Sequence, residues 1–497
     1  MSDDDTIAYL LPAEGKGREN ALAAICMSHN AAFFVPGRSQ NNLQPEPREA
    51  YSRSAREATE QPEEDDAQSD EPRLRFTFSN PPKTREGLVA GYSSAADILL
   101  PFKGVSWHHF ALTFDAQNRL VVRDLNSTMG TRVVYDDQDG APGRGMDWSA
   151  CPPPLAKAKV PVVKVLESLQ FRLIEPHRDT RSKAYLDNVA RFREGTGATE
   201  DLFQDIKLLS RVPTELPTPT EKARQFAPGT VYWKKELGRG AFGTVYYIWD
   251  ATTRDEFALK EPRSDKSFNE EVWRKEAEIL KGISHVSDED FIAQRSVLLF
   301  SDRSVTLTTL CEQKHIVALK HTCFLAGKPK LYFEYVSGGS LDTYLSKTTS
   351  FHNKQIAVQL FSVLSYLHGL PLAHRDIKLE NVLVQSWDCN GVYVKLADFG
   401  LSKQSSAMET YCGTRLYAAP EIYGLRENPK YDPLVDIWSV GVLLVWLECR
   451  RLPKYKDGYQ TSGTAWAEAL VRFVHANLRR HGDRSLVSFV IEDMLVI

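Results

Sequence analysis

The segment that most restricts the fold of this chain is His374-Arg375-Asp376-Ile-Lys378-Leu-Glu380-Asn381. It places on one short loop a carboxylate that can accept a proton, an amine that can neutralise a phosphate and an amide that can ligate a divalent cation. About 17 residues later, after the alternating segment GVYVKLA, Asp398-Phe399-Gly400 adds a second carboxylate, and Ala419-Pro420-Glu421 follows. Such triplets also occur by chance, so their order and spacing carry the inference.

A glycine-rich segment lies far upstream, Gly238-Arg-Gly240-Ala-Phe-Gly243-Thr-Val245, between two predicted strands. Glycines there let backbone amides approach phosphate oxygens and permit a flexible hairpin. Taken alone, this segment is equally well an ordinary glycine turn.

Lys260 ends the next predicted strand, FALK, where its ammonium would face those phosphates. The following segment, NEEVWRKEAEILKGI, places Val272, Glu276, Leu280 and Ile283 on one stripe of a helix. A carboxylate on an apolar face needs a partner, and we predict that Glu276 pairs with Lys260.

The chain is 497 residues long, more than one hydrophobic core usually organises, so we expect two domains. Short alternating segments with Gly, Asn and Asp turns predict an all-β sandwich, and a mixture of strands and helix-period segments predicts an α+β domain. We assign 1–36 to a short N-terminal segment, 37–70 to a disordered Pro- and Glu-rich linker, 71–178 to the sandwich, 179–229 to a partly helical, Pro/Thr-rich linker and 230–497 to the α+β domain.

Composition excludes several classes of function. The net charge of -4 argues against bulk nucleic-acid binding, and the strongest apolar run, Ile437 to Leu447, falls short of a membrane span. The acidic N-terminus is unlike an export signal, and the seven scattered cysteines form no CxxC pair. We therefore expect reduced thiols and a cytoplasmic or nuclear protein.

From about Thr230 to the C-terminus the chain resembles the eukaryotic protein kinases, which implies a bilobal fold with a small lobe at 230–336 and a large lobe at 337–497. By this resemblance Asp376 is the catalytic base, Lys378 contacts the transferred phosphoryl, and Asn381 and Asp398 hold Mg²⁺. The implied ATP site is formed by Gly238, Gly240, Gly243, Val245, Ala258, Lys260, Phe333, Glu334, Val336 and Leu383.

The same resemblance implies the substrate and the regulation. Lys378 and Thr414 are typical of serine/threonine kinases, so protein Ser/Thr hydroxyls are the expected substrates. Arg375 beside Asp376 is similar to kinases that are activated by phosphorylation, with Thr410 as the matching phosphosite.

Residues 73–176 contain, in this order, Gly91, Asp97-Ile98, Ser106, His109, Asp124-Leu125, Ser127 and Gly130-Thr131. In these positions the segment resembles a forkhead-associated (FHA) domain, a module that binds phosphothreonine. Tyr92 and Met129 stand where family members carry a phosphate-binding arginine and an asparagine, while Ser106 keeps the serine. We therefore expect weak or absent binding of a phosphoprotein partner, and Ser106 could equally be a plain turn hydroxyl. An FHA-like module ahead of a kinase resembles the checkpoint kinases of the calcium/calmodulin-dependent-like group.

The kinase resemblance has two departures. An extra polar stretch lies between His285 and His315, and the chain stops before the family's last helices, which implies a C-terminally truncated lobe. Glu421 is then expected to be a buried acid without its partner, at a cost of about 3–5 kcal/mol. This sustains a rival prediction, a pseudokinase or interaction scaffold, against which the full set of catalytic residues argues. An FHA-type adaptor is a third alternative, weakened by Tyr92 and Met129.

Overall fold

The computed structural model describes residues 5–37, 71–138, 143–157, 160–196, 232–240, 243–262, 270–283, 313–325, 328–370, 372–399, 415–424, 433–454, 463–478 and 493–495. By tertiary contacts the chain forms two units. The first comprises residues 1–235 and 248–255, and the second comprises 236–247 and 256–497.

The first unit is built on two packed β-sheets. One sheet has the strand order β2-β3-β1-β11-β10-β8 and the other has the order β5-β4-β6-β7-β9. The strands are β1 (Thr6–Pro12), β2 (Phe34–Val35), β3 (Arg73–Thr77), β4 (Leu88–Gly91), β5 (Ile98–Leu99), β6 (Phe110–Phe114), β7 (Leu120–Asp124), β8 (Arg132–Val134), β9 (Asp147–Ser149), β10 (Val162–Leu166) and β11 (Leu169–Ile174). Burial alternates along β3, β10 and β11, as expected for strands with one face on the core. The predicted sandwich is present.

Its boundaries differ from the predicted ones at both ends. Residues 1–36 are not a separate segment, because β1 pairs with both β3 and β11 and all seven of its residues are buried. The sequence also placed helix α2 (Lys183–Glu194) in a linker, but its Phe192 ring packs 5.2 Å from that of Phe114 on β6. Helix α1 (Arg18–Ile25) and a 3₁₀ helix (Ser28–Ala32) complete the unit. Nearly all of the predicted disordered segment, and residues 197–229 of the predicted linker, lie outside the described residues.

The second unit has the predicted α+β arrangement. A five-stranded sheet of order β12-β13-β14-β16-β15 is followed by a mainly helical region that contains a two-stranded sheet, β17-β18. The strands are β12 (Tyr232–Arg239), β13 (Thr244–Asp250), β14 (Glu256–Glu261), β15 (Leu319–Leu325), β16 (Lys328–Glu334), β17 (Val382–Asp388) and β18 (Gly391–Leu396). The helices are α3 (Glu270–Ile283), α4 (Ser350–Gly369), α5 (Pro420–Gly424), α6 (Leu434–Cys449) and α7 (Gly463–Leu478).

Helices α4 and α6 form the buried centre of the large lobe. Eleven of the 16 residues of α6 are buried, which explains its nearly continuous apolar sequence. Glu421, predicted to be a buried acid without a partner, is instead exposed at the start of α5, so the expected energetic cost does not arise. The extra polar stretch after α3 lies almost entirely outside the described residues. Among the described helices, none is both long and apolar enough to cross a bilayer.

Candidate active site

The structure brings Lys260, Glu276 and Asp398 together. Strand β14 buries Lys260, and its Nζ lies 2.6 Å from Glu276 Oε1 on α3 and 2.8 Å from Asp398 Oδ1. Burial alone would lower the pKa of Lys260, but the two carboxylates together raise it above its ordinary value. The site therefore holds a permanently charged ammonium between two acids, and the predicted Lys260–Glu276 pair is present.

Asp376, Lys378 and Asn381 form a second cluster on the loop before β17. Lys378 Nζ lies 2.7 Å from Asp376 Oδ2, and the Asn381 amide donates to the same oxygen at 2.9 Å and to the Asp376 carbonyl at 2.7 Å. A 3₁₀ helix (Leu379–Asn381) sets Asn381 at the entrance to β17. The Asp376 carboxylate is thereby fixed in direction by two donors, and its side chain remains 9% exposed.

Asp436, a residue that the sequence analysis did not single out, positions this loop. It is fully buried near the start of α6, and its carboxylate accepts the N–H groups of His374 at 2.7 Å and Arg375 at 2.8 Å. The sequence feature that could have indicated this role is an acid at the start of an apolar helix, because a buried carboxylate requires hydrogen-bond donors.

Two residues of the site have left-handed backbone conformations that are uncommon outside glycine. Arg375 has φ 70° and Asp398 has φ 63°. Such conformations persist where surrounding contacts fix them. The hydrogen bond from the Arg375 N–H to Asp436 fixes the backbone at Arg375. Next to Asp398, the buried Phe399 ring packs edge-on against the His374 ring, with the ring centres 4.6 Å apart.

The glycine-rich turn is partly described. The Gly240 N–H donates to the Gly243 carbonyl at 2.9 Å, and a Cβ on Gly243 would lie 2.5 Å from the Glu261 carbonyl oxygen of β14. Gly243 is therefore required for close strand packing, whereas a Cβ on Gly238 would meet nothing within 4 Å. Ala241 and Phe242 lie outside the described residues.

The residues expected around adenine lie on neighbouring strands. Ala258 on β14 pairs with Phe333 on β16, and Leu383 on β17 forms a bridge with Ser340. Val245 and Leu383 are half-buried, and Val336 is buried. The side chain of Glu334 is committed elsewhere, to the Ala318 N–H at 2.8 Å and Lys395 Nζ at 2.6 Å.

The sandwich has its own candidate ligand face. Ser106 Oγ accepts the Thr128 N–H at 2.9 Å, while Tyr92, Trp107 and Met129 are exposed side chains. The rings of Tyr92 and Trp107 pack edge-on at 6.1 Å. The face therefore presents apolar groups where charge-assisted binding of a phosphate would need a cation.

Gly91 and His109 support this face from behind. A Cβ on Gly91 would lie 2.2 Å from the Trp107 carbonyl oxygen, and the buried His109 ring accepts the Ser106 N–H at 3.1 Å. Burial lowers the pKa of His109, so the ring stays neutral and acts as a structural acceptor.

A two-lobed domain with a buried Lys–Glu pair, a second carboxylate on the same lysine and an Asp–Lys–Asn loop defines the class of protein kinase catalytic domains. A family model for the protein kinase domain matches residues 301–485, and one for the FHA domain matches residues 88–139.

Myosin light chain kinase A from Dictyostelium discoideum is 33% identical over 249 residues, which cover 48% of this chain and 71% of that protein. RAC-beta serine/threonine-protein kinase from Rattus norvegicus is 30% identical over 234 residues, or 46% of this chain and 42% of that protein. The chain belongs to the protein kinase family.

Among solved structures, the crystal structure of Rad53 residues 1–466 in complex with AMP-PNP matches with a TM-score of 0.50 and 20% identity. It covers 85% of this chain and 91% of that one. At this level of identity the likeness concerns the fold alone, and it extends over both predicted domains.

Proposed function

We propose that this protein is a serine/threonine kinase that transfers the γ-phosphoryl group of ATP to protein hydroxyls. The observation that carries the proposal is the convergence of Lys260, Glu276 and Asp398 in one cluster and of Asp376, Lys378 and Asn381 in the other. The pseudokinase alternative would be favoured by a missing or misplaced catalytic group. Each of these six side chains is instead held by at least one of the others.

Asp376 is the proposed proton acceptor. Its carboxylate would orient the substrate hydroxyl and take its proton as the oxygen attacks the γ-phosphorus and the bond to the β-phosphate oxygen breaks. Lys378, 2.7 Å from Asp376, would balance the negative charge of the transferred group.

Lys260 is the proposed ligand of the α- and β-phosphates. Glu276 holds its ammonium in place, and the second partner, Asp398, is 38% exposed and so accessible to a metal–nucleotide complex. The turn at Gly240 and Gly243 would cover the phosphates from above, and Val245, Ala258, Val336 and Leu383 would contact adenine.

The residues fit Mg²⁺ bound together with ATP. Magnesium takes oxygen ligands and commonly uses one or two side chains together with substrate phosphates, and Asn381 and Asp398 supply an amide and a carboxylate of this kind. When bound, the cation would neutralise charge that develops on the phosphates.

The test is incubation of the purified chain with Mg-ATP and a mixture of protein substrates, with products located by mass spectrometry. Phosphoserine and phosphothreonine are expected, both on the substrates and on the chain itself. Folded protein that binds ATP without forming either product would favour the scaffold instead.

Phosphorylation of Thr410 is the proposed activating step. Thr410 lies outside the described residues, and the support is Arg375, whose backbone is anchored by Asp436 beside the proposed base. A phosphate paired with that guanidinium would order the activation segment.

We expect Thr410→Ala to lower activity about tenfold or more, since the new charge-assisted bonds would be lost. Phosphate incorporation into a peptide substrate measures this loss, and Ser406→Ala in the same segment is the matched control. Equal activity in Thr410→Ala and the unchanged chain would refute this mode of activation.

The FHA domain is proposed to bind phosphothreonine weakly, because Tyr92 and Met129 offer no charge to the phosphate. Titration of the full chain with phosphothreonine peptides should give a dissociation constant weaker than about 100 µM. The double replacement Tyr92→Arg and Met129→Asn should strengthen binding at least about tenfold. Micromolar binding that Ser106→Ala abolishes would instead show a working pocket.

A further inference from the structure

The large lobe carries a group of aromatic side chains at its surface. The Trp387 ring on β17 has two ring partners: Tyr344 stacks on it with the ring centres 4.9 Å apart, and His352 of α4 lies 4.4 Å away. The Phe351 ring meets the His352 ring edge-on at 5.8 Å. Phe351 is 55% exposed, and the other three residues are half-buried. These four residues, together with Val358, are called the aromatic surface below.

Val358 extends this surface along the helix. It follows Phe351 by seven residues on α4, which is about two helical turns, so the two side chains lie on one face about 10 Å apart. Val358 is 64% exposed. Large apolar side chains that are grouped in this way mark interaction sites, whereas single exposed ones need no explanation.

Hydrogen bonds fix the support of the aromatic surface. Gln355 of α4 accepts the Val392 N–H of β18 at 2.9 Å. One helical turn later, Gln359 accepts the Val394 N–H at 2.8 Å. A Cβ on Gly391, which has φ 140°, would lie 2.2 Å from Gln355 Oε1, so glycine is needed for this approach. The hairpin that carries the tryptophan is thereby held to the helix, and rings on a rigid support lose little conformational entropy when a partner binds.

The charges around the aromatic surface are mainly positive. Lys347 Nζ lies 5.2 Å from the centre of the Tyr344 ring. Lys354 is exposed and follows Phe351 by three residues on the same side of α4. α4 contains no Asp or Glu, and its N-terminal end adds partial positive charge. Asp388, which follows the tryptophan, accepts two main-chain N–H groups of its own turn. This distribution favours an acidic partner over a basic one.

We propose that the aromatic surface is a docking site for a peptide segment of a partner protein, one that combines an aromatic or large aliphatic anchor with acidic residues. The anchor packs against Phe351 and Val358, where rigid apolar side chains are exposed. The carboxylates of the peptide face Lys347 and Lys354.

This docking site is separate from the proposed catalytic loop. β17 begins at Val382, directly after Asn381, and Trp387 lies five residues further along the strand, or about 16 Å. A peptide held at the far end of β17 leaves Asp376 accessible. The site therefore adds a binding function to the proposed phosphotransfer and does not depend on it.

Selection from a display library of random dodecapeptides, performed on the full chain without nucleotide, tests the proposal. The library is first depleted on the Phe351→Ser variant, so that peptides bound elsewhere on the protein are removed. The peptides then enriched should contain an aromatic or aliphatic residue together with Asp or Glu. Fluorescence anisotropy with synthetic copies should show binding at least about tenfold weaker to Phe351→Ser, because the anchor contact is lost.

A second variant tests the charges, and a third is the control. Lys354→Glu should weaken binding about 3- to 10-fold and reduce its dependence on salt. Leu186→Ser, at a 39% exposed position of α2, should bind the peptides as the original chain does. The absence of enriched peptides after depletion would overturn the docking site, and enrichment of basic peptides would overturn the proposed partner chemistry. The selection needs neither ATP nor phosphotransfer, so its failure is distinguishable from failure of the proposed kinase activity.

Discussion

Asp376→Asn is expected to lower the rate of phosphotransfer by about 10²- to 10⁴-fold, the usual contribution of a positioned general base. Asparagine keeps an oxygen that can accept from the Asn381 amide, which lies 2.9 Å from Asp376 Oδ2, so the loop should keep its conformation. What is lost is the ability to take the proton of the attacking hydroxyl. Initial rates with a peptide substrate at saturating ATP measure the loss.

Asp187→Asn, a change of the same kind at an exposed position of α2, is the control and should have the rate of the original chain. The affinity for ATP should be unchanged in both variants, because Asp376 contacts neither Lys260 nor Glu276 in the structure. A rate within about threefold of the original for Asp376→Asn would remove Asp376 from the proposed role, since general bases contribute far more.

Most of the site could be predicted from the sequence because its residues lie in short, recognisable segments. The Lys260–Glu276 pair was predicted because an acid on the apolar stripe of a helix needs a cation. The lysine at the end of the preceding strand was the candidate for that cation. The role of Asp436 was not predicted, since it reaches residues 374 and 375 from a helix some 60 positions later and no local pattern records such a distance.

The fold was predicted less evenly. Strands β3, β10 and β11 alternate and were found, whereas all seven residues of β1 are buried and provide no alternation to detect. β1 is inserted between β3 and β11, which come much later in the chain, so its membership in the sandwich depends on long-range pairing.

Lys260→Met is expected to have a different signature, a loss of both catalysis and stability. The Glu276 side chain is 3% exposed, so removal of the ammonium leaves a buried carboxylate without its cation, which costs about 3–5 kcal/mol when a buried pair is broken. Asp398 loses the same partner, so the phosphates and the metal-binding carboxylate would both be misplaced. This should lower the rate of phosphotransfer by about 10²-fold or more. Thermal unfolding and the KM for ATP are the measurements.

Lys330→Met is the matched control in the same sheet. Lys330 pairs with Glu261 at 2.8 Å, but its side chain is 24% exposed, and pairs near the surface contribute about 0–1 kcal/mol. We therefore expect a small change in melting temperature and an unchanged KM for ATP. If Lys260→Met lowered stability no more than Lys330→Met, the Lys260–Glu276 pair would not be the support of the nucleotide site. If it lowered stability but left the rate and KM intact, Lys260 would be structural and the phosphates would bind elsewhere.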